Sequence, residues 1–494
     1  MQKFGLLTFV LLILGFQLNA QISNSNNCKQ AYKDIMSLRF DRAETLLSIE
    51  KTISPDNPYT TYLENYIDFL KVFISEDSEI FDTAESSKQY RIQIIESISD
   101  TSPYKRYLLA NMNLQWAVAR LKFNEYFSAA IEINRAYRLI EANIEEFPEF
   151  YPNKITHGVL QIMLGLVPEK YNWILDLIAM KGSVEKGTQE LYQVMKTEIS
   201  DTNFAYLKEE TLFYLGFIEV NINPDKSQTE ELLSEIIPLS DSSLLFSYLS
   251  INILTKTAQN EKAEIIFKKI QNKNQFYPFY YLDYLYGEFC LQKLDLVNAR
   301  QYYSKFLKNF KGKNYIKDCW RKMAWSYLLE EKTENYSQII SNVGTYGYKD
   351  IGKDKDAFLE YETGRIPNIN LIKARLLFDG NNYLKADSVL NTITTSELNF
   401  NQQLERTYRK ARIKHKTNNI AKAKTLYKSL VLSSDLTTEY YPANSALKLG
   451  EIYEREDSLK MAEFYYNKCS NMNFIQYENS IKSKAKEGKR RVSK

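Results

Sequence analysis

The sequence predicts an all-α fold, a solenoid of helix hairpins, on three observations. Six times a small residue is followed twelve positions later by alanine: Ala31/Ala43, Ala117/Ala129, Gly287/Ala299, Ala374/Ala386, Ala411/Ala423 and Gly450/Ala462. Apolar or aromatic residues surround both members of each pair, so two short antiparallel helices can touch where both side chains are small. Glycine and proline number only 16 and 11, too few for the closely spaced turns of a large β protein. At 494 residues the chain also exceeds the size at which one hydrophobic core keeps growing, which leaves several domains or a repeat array. Its 44% hydrophobic and 25% charged residues are those of a folded chain and argue against long disorder.

Residues 1–20 read as a cleaved secretory signal. Lys3 supplies the positive start, Leu6 to Phe16 is apolar, and Leu18-Asn19-Ala20 offers a small residue before Gln21. The run is shorter than the roughly 20 apolar residues of a membrane span, and no later segment reaches that length. No cysteine sits immediately after the cleavage point, which argues against a lipid-anchored form. The address implied is the periplasm or outer-membrane surface of a Gram-negative bacterium. Residues 21–222 then form an N-terminal helical repeat region. Ala31, Phe40, Ala43 and Leu47 make one unit; Trp116, Ala117, Tyr126, Ala129, Ile133 and Ala136 make another. Between them Asn57-Pro58 opens a helix running through Tyr66 and Phe69.

Within that region Pro148 and Pro152 end a long helix, and an apolar hairpin follows at 158–180. Gly158 to Val167 is nearly all apolar, Pro168 interrupts it, and Trp173 to Met180 is apolar again before Lys181-Gly182 and Gly187. The hairpin reads as a buried cap or bridge between repeat arrays, the alternative being an interfacial element against a membrane or hydrophobic ligand. Leu212, Leu215 and Gly216, at the end of the N-terminal region, suit a first helix, and within residues 223–342 Ile251 with Ala263 and Phe267 suits a second. Trp320, Met323, Ala324 and Tyr327 repeat the Gly287 set, with Tyr336 where alanine is expected. Asn342 to Asp356, with Gly344, Gly347 and Gly352, reads as an irregular loop able to let the last repeats shift; Asn223-Pro224 is a second seam. Residues 357–480 form the most regular array, in which Ala374, Ala411 and Gly450 recur 37 and 39 residues apart. Residues 481–494 are a basic tail, a solvated, frayed helix end or an electrostatic dock for an anionic lipid or polymer.

Tyr286, Gly287, Cys290, Leu296, Ala299, Tyr303 and Phe306 resemble a tetratricopeptide repeat, Asp283 alone departing from its bulky positions. The pattern returns as Leu377, Tyr383, Ala386, Leu390 and Ile393, and as Ile420, Ala423, Tyr427 and Leu430. It returns again as Ala446, Leu449, Tyr453, Leu459, Ala462, Tyr466 and Cys469. The resemblance implies a right-handed α-solenoid whose first helices line a concave groove. On the matching positions it implies partner contacts at Tyr281, Tyr284, Glu288, Leu291, Leu371, Arg375, Phe378, Tyr408, Arg412, His415, Leu447, Glu451 and Glu454. Of these, Tyr281, Tyr284, Glu288, Arg375, Phe378, Tyr408, Arg412 and Glu451 are the residues expected to hold the partner. The family's peptide-end clamp places asparagine just after the small residue. Here Glu288, Trp325, Arg375, Arg412 and Glu451 stand there, and only Asn252 fits, so that clamp is not expected. Residues 155–195 loosely resemble the tetratricopeptide-repeat-39 group.

The chemistry expected is binding. No phosphate loop, HExxH or nucleophile elbow occurs. His157 and His415 are the only histidines, which excludes a histidine-rich metal site; His157 reads as a capping or core residue and His415 as solvent-facing. Cys28, Cys290, Cys319 and Cys469 lack CxxC spacing and read as buried free thiols, with three disulfide pairings as the alternative in an exported chain. Glu145/Glu146/Glu149 and Glu209/Glu210 have surface spacing. Net charge is only +3, from 64 basic and 61 acidic residues spread along the chain, so nucleic acid is not expected as a partner. No cofactor or metal is expected. The function expected is a non-enzymatic scaffold holding a protein or peptide partner of the cell envelope in the concave groove. A glycan-binding module, or a membrane-surface protein using 158–180 and the tail, is the alternative. An enzyme would need a buried pair of carboxylates roughly 5 to 9 Å apart.

Overall fold

Small-to-alanine pairing becomes helix pairing throughout the computed structural model, which describes residues 24–167, 180–197, 204–222, 226–270 and 274–493. The signal segment, most of the second half of the apolar hairpin and the Asn223-Pro224 seam lie outside the described residues. Among those described there are 24 α-helices and no strand, with adjacent helices packed as hairpins in an all-α helical-repeat solenoid. Every member of the six pairs is buried, the ten alanines at 0% exposure. Tyr303, Tyr427 and Tyr466, also at 0%, fill the space beside them. The four cysteines are free and buried, Cys290 and Cys469 within the packed hairpins.

The hairpin turns share one device that the small-residue pattern does not announce. Leu38, Asn124, Ala258, Leu294, Glu331, Asn381, Asn418 and Asp457 all have φ between 55° and 65°. Each lies five residues before the inward residue of its second helix. The amide after each turns back to the carbonyl five residues earlier, as in Arg39 N to Asp34 O (2.8 Å) and Asn382 N to Leu377 O (2.7 Å). This left-handed closure satisfies carbonyls the helix end would leave open. Asn and Asp, which tolerate the conformation best after glycine, occupy half of these sites.

The chain divides into two compact units, one ending at Phe279 and one beginning at Tyr280. In the first unit, helices Asn26–Met36, Pro58–Ser75, Pro103–Lys122 and Lys208–Asn221 bring tyrosines together around one carboxylate. Glu210, 3% exposed, accepts from Tyr32 (2.5 Å), Tyr66 (2.6 Å) and Tyr214 (3.1 Å). Surface spacing therefore misled for Glu210, which ties the first hairpin to a helix far along the chain. Helix Pro152–Gly165, which holds the first half of the apolar hairpin, packs against Val184–Thr197 beyond it. A Cβ on Gly158 would lie 2.9 Å from Gly187 O, and one on Gly187 would lie 2.7 Å from Ile162 Cγ1. Glycine at both positions is what allows this close approach. His157 clips the crossing, between Glu190 (2.7 Å) and Glu141 (3.3 Å). Burial opposes its charge, and these carboxylates raise its pKa above the ordinary histidine value.

In the second unit, hairpins Tyr281–Gln292/Leu296–Asn309 and Ile316–Leu328/Thr333–Thr345 precede a single helix, Gly352–Thr363. Three hairpins follow, Ile369–Asp379/Tyr383–Thr392, Phe400–Lys416/Ile420–Val431 and Tyr441–Arg455/Leu459–Asn471, and Glu478–Val492 ends the unit. Two expectations are corrected here. The irregular loop shrinks to the connection before Gly352: Asp354 caps the Ile316–Leu328 helix, accepting from Tyr315 N (2.7 Å) and Asp318 N (2.9 Å). The tail is not frayed. Its helix buries Ile481, Ala485 and Gly488 against the last hairpin, and Arg491 pairs with Glu454 at 2.8 Å.

Candidate functional site

The first helices of the second unit's hairpins carry Gly287, Ala324, Ala374, Ala411 and Gly450 at their crossing points. Each small residue brings its own helix close to its partner, so the next residue along is turned away from that crossing. Those next residues are Glu288, Trp325, Arg375, Arg412 and Glu451. Side-chain contacts link the successive first helices. Tyr284 donates to Asp318 (2.6 Å), Arg375 lies 5.2 Å from the Trp325 ring, Arg412 lies 4.3 Å from the Phe378 ring, and Asn444 donates to Tyr408 (2.8 Å).

One end of this wall is electrostatically satisfied. Lys322 and Lys353 donate to the Tyr284 oxygen at 3.0 and 3.1 Å; Lys353 also reaches Glu288 (3.1 Å) and Lys322 reaches Asp318 (2.8 Å). Lys322 pairs with Glu288 as well, and Arg321 with Asp318. Burial opposes ionisation of Asp318, but Lys322, Arg321 and Lys353 hold its carboxyl well below the usual range. Glu360 accepts from Trp325 Nε1 (2.7 Å) and Tyr336 (3.4 Å), and burial pushes its pKa up. Burial likewise pushes Asp354 up to about 6, against the pull of its two backbone donors.

The middle of the wall is different. Arg375 rests against Trp325, and its nearest carboxylate, Asp379, stands 3.8 Å away, beyond hydrogen-bond distance. Arg412 rests on Phe378 and Tyr408, with no carboxylate of the described residues in ion-pair range. Arg409, 5% exposed, is committed to Glu405. Tyr440 packs on Tyr408 (5.6 Å) and on Tyr477 (4.9 Å). Tyr477 has φ 60°, unusual for a bulky side chain.

The expected contact residues thus fall into three physical situations. Tyr284, Phe378 and Tyr408 are buried, at 0, 6 and 1% exposure, and their rings serve as platforms. Glu288 and Glu451 are engaged by lysines, Glu451 by Lys448 at 2.7 Å, while Tyr281 is half-buried against Tyr284 and Tyr315. Arg375 and Arg412 keep uncommitted N–H groups. Leu291, Leu371 and Leu447 are core residues. His415 is half-buried rather than solvent-facing; burial and the Lys448 charge push its pKa down to about 4. Sequence reasoning missed Arg321, Lys353, Arg409, Tyr440 and Tyr477. Arg321 and Arg409 could have been found by extending the helical register one turn back from Trp325 and Arg412. Tyr440 and Tyr477 stand just before helices and leave no periodic signal.

Among the described residues no helix is long and apolar enough to cross a membrane. No protein-family model matches the chain, and no curated protein matches it.

Proposed function

We propose that this chain is a non-enzymatic interaction scaffold of the cell envelope, holding a partner segment along the groove that runs from Tyr281 to Glu451. We further read its hairpins as tetratricopeptide-type units and its first residues as an export signal. The observation that carries the proposal is the pair Arg375 and Arg412. Both rest on aromatic rings; Arg412 has no carboxylate of the described residues in ion-pair range and Arg375 has only Asp379 at 3.8 Å, whereas the neighbouring Arg321 and Arg409 are closely paired with Asp318 and Glu405. An arginine oriented by an aromatic face and left with free N–H edges is suited to dominate a binding surface. A glycan reading has less support. The polar cleft of about 870 Å³ around Asn401, Thr437, Lys468 and Asn471 has amides and hydroxyls but no aromatic ring in its lining. The membrane reading turns on Trp173, Ile174 and Leu177, which lie outside the described residues.

Affinity capture from an envelope extract tests the scaffold, with the Arg375→Glu/Arg412→Glu variant as control. Partners recovered by the parent and lost from the variant are expected. Equal recovery by both would remove the groove from the account.

A further inference from the structure

We infer that the groove selects an extended segment bearing two carboxylates about three residues apart, one for Arg375 and one for Arg412; this rests on the scaffold reading and names what the groove takes. Neighbouring packed helices lie roughly 8–10 Å apart, and a segment in the extended polyproline-II conformation advances about 3.1 Å per residue with three residues per turn, which returns every third side chain to the same face. Carboxylates roughly three positions apart therefore reach guanidiniums on successive first helices. Each guanidinium plane is already held, Arg375 by Trp325 at 5.2 Å and Arg412 by Phe378 at 4.3 Å. Little side-chain freedom is lost when a carboxylate takes the exposed edge in a charge-assisted pair.

The surroundings restrict the anion. Asp379 lies near both arginines, and Glu288 and Glu451, in the same row, are each already paired with lysine. A dense polyanion would find only the two arginines unengaged along this row, whereas two isolated carboxylates need no more than those two.

The test is fluorescence anisotropy with an amidated, fluorescein-labelled alanine hexapeptide carrying glutamate at its second and fifth positions, against the same peptide with glutamine there. The full-length protein should bind the glutamate peptide at least tenfold more tightly, and added salt should weaken that binding. Arg375→Gln/Arg412→Gln should lose at least tenfold with an unchanged helical spectrum. Equal binding of the two peptides would overturn the carboxylate selection and leave groove binding standing. No binding of either at millimolar concentration, or undiminished binding by the double variant, would overturn the inference altogether. Failure of the scaffold reading itself is seen separately, in equal capture by the charge-reversed control.

Discussion

Gly488→Ala sets two ordinary effects against each other, and the packing of Tyr466 decides between them. Glycine inside a helix is disfavoured, so alanine at an open position would stabilise the last helix by about 1 kcal/mol. Position 488 is not open. A Cβ there would lie 2.7 Å from both Cε1 and Cε2 of Tyr466, and a Cβ on Gly450 would lie 2.6 Å from its Cδ1. The ring is clamped between two glycines on different helices, and its hydroxyl donates to Glu454. It has no direction in which to retreat. Overpacking of this kind costs about 1–3 kcal/mol, so the net expectation is a loss of up to about 2 kcal/mol. Melting should fall by a few degrees, at roughly 2–4 °C per kcal/mol for a unit of this size. Hydrogen exchange should quicken across Glu478–Val492, while Ser483→Ala, exposed on the same helix, leaves both readouts nearly unchanged. A higher melting temperature with full protection would show that propensity alone governs, and that Tyr466 does not rest against Gly488.

Other expectations follow from single residues. Burial raises the Glu210 carboxyl above its ordinary value, against the pull of its three phenol donors, so its contribution to stability is greatest below the unfolded carboxylate range. That contribution is lost as pH rises through the folded value. Denaturant titrations across pH should therefore give a parent-minus-Glu210→Gln difference that falls as pH rises; a rising difference refutes the account. Asp354→Ala leaves the amides of Tyr315 and Asp318 without their acceptor and should destabilise the second unit by about 1–3 kcal/mol at neutral pH; an unchanged denaturation midpoint would contradict the cap. Glu331→Gly relieves an exposed left-handed residue at φ 62° and should stabilise by about 0.5–1 kcal/mol, since the strain removed exceeds the entropy glycine adds. A lower melting temperature would count against the left-handed closure.

Where helices meet through small residues the architecture was legible, because a buried Ala or Gly at a fixed offset is a packing requirement written in single letters. Helix Gly352–Thr363 was not. Its buried residues include Asp354 and Asp356, and it is anchored by backbone caps and charge rather than by an apolar stripe. The tail escaped for a related reason: its inward face is Ile481, Ala485 and Gly488, too small to stand out among lysines. In the groove, Arg375 and Arg412 were legible because they follow the small residues in register. The burial of Tyr284, Phe378 and Tyr408 was not, since a helical wheel tells which side a residue faces but not how closely the next helix stands. Tyr477 depends on one left-handed backbone angle, which composition does not encode.

Site-specific photo-crosslinking tests the groove most directly. Benzoylphenylalanine would be placed at Tyr281, at Glu451 and, on the outer helix, at Leu384, which is 83% exposed. After irradiation in an envelope extract, adducts to the same partner are expected from Tyr281 and Glu451, and none from Leu384. Adducts of equal yield from Leu384, or none from either groove position, would contradict the proposal that partners lie along this wall.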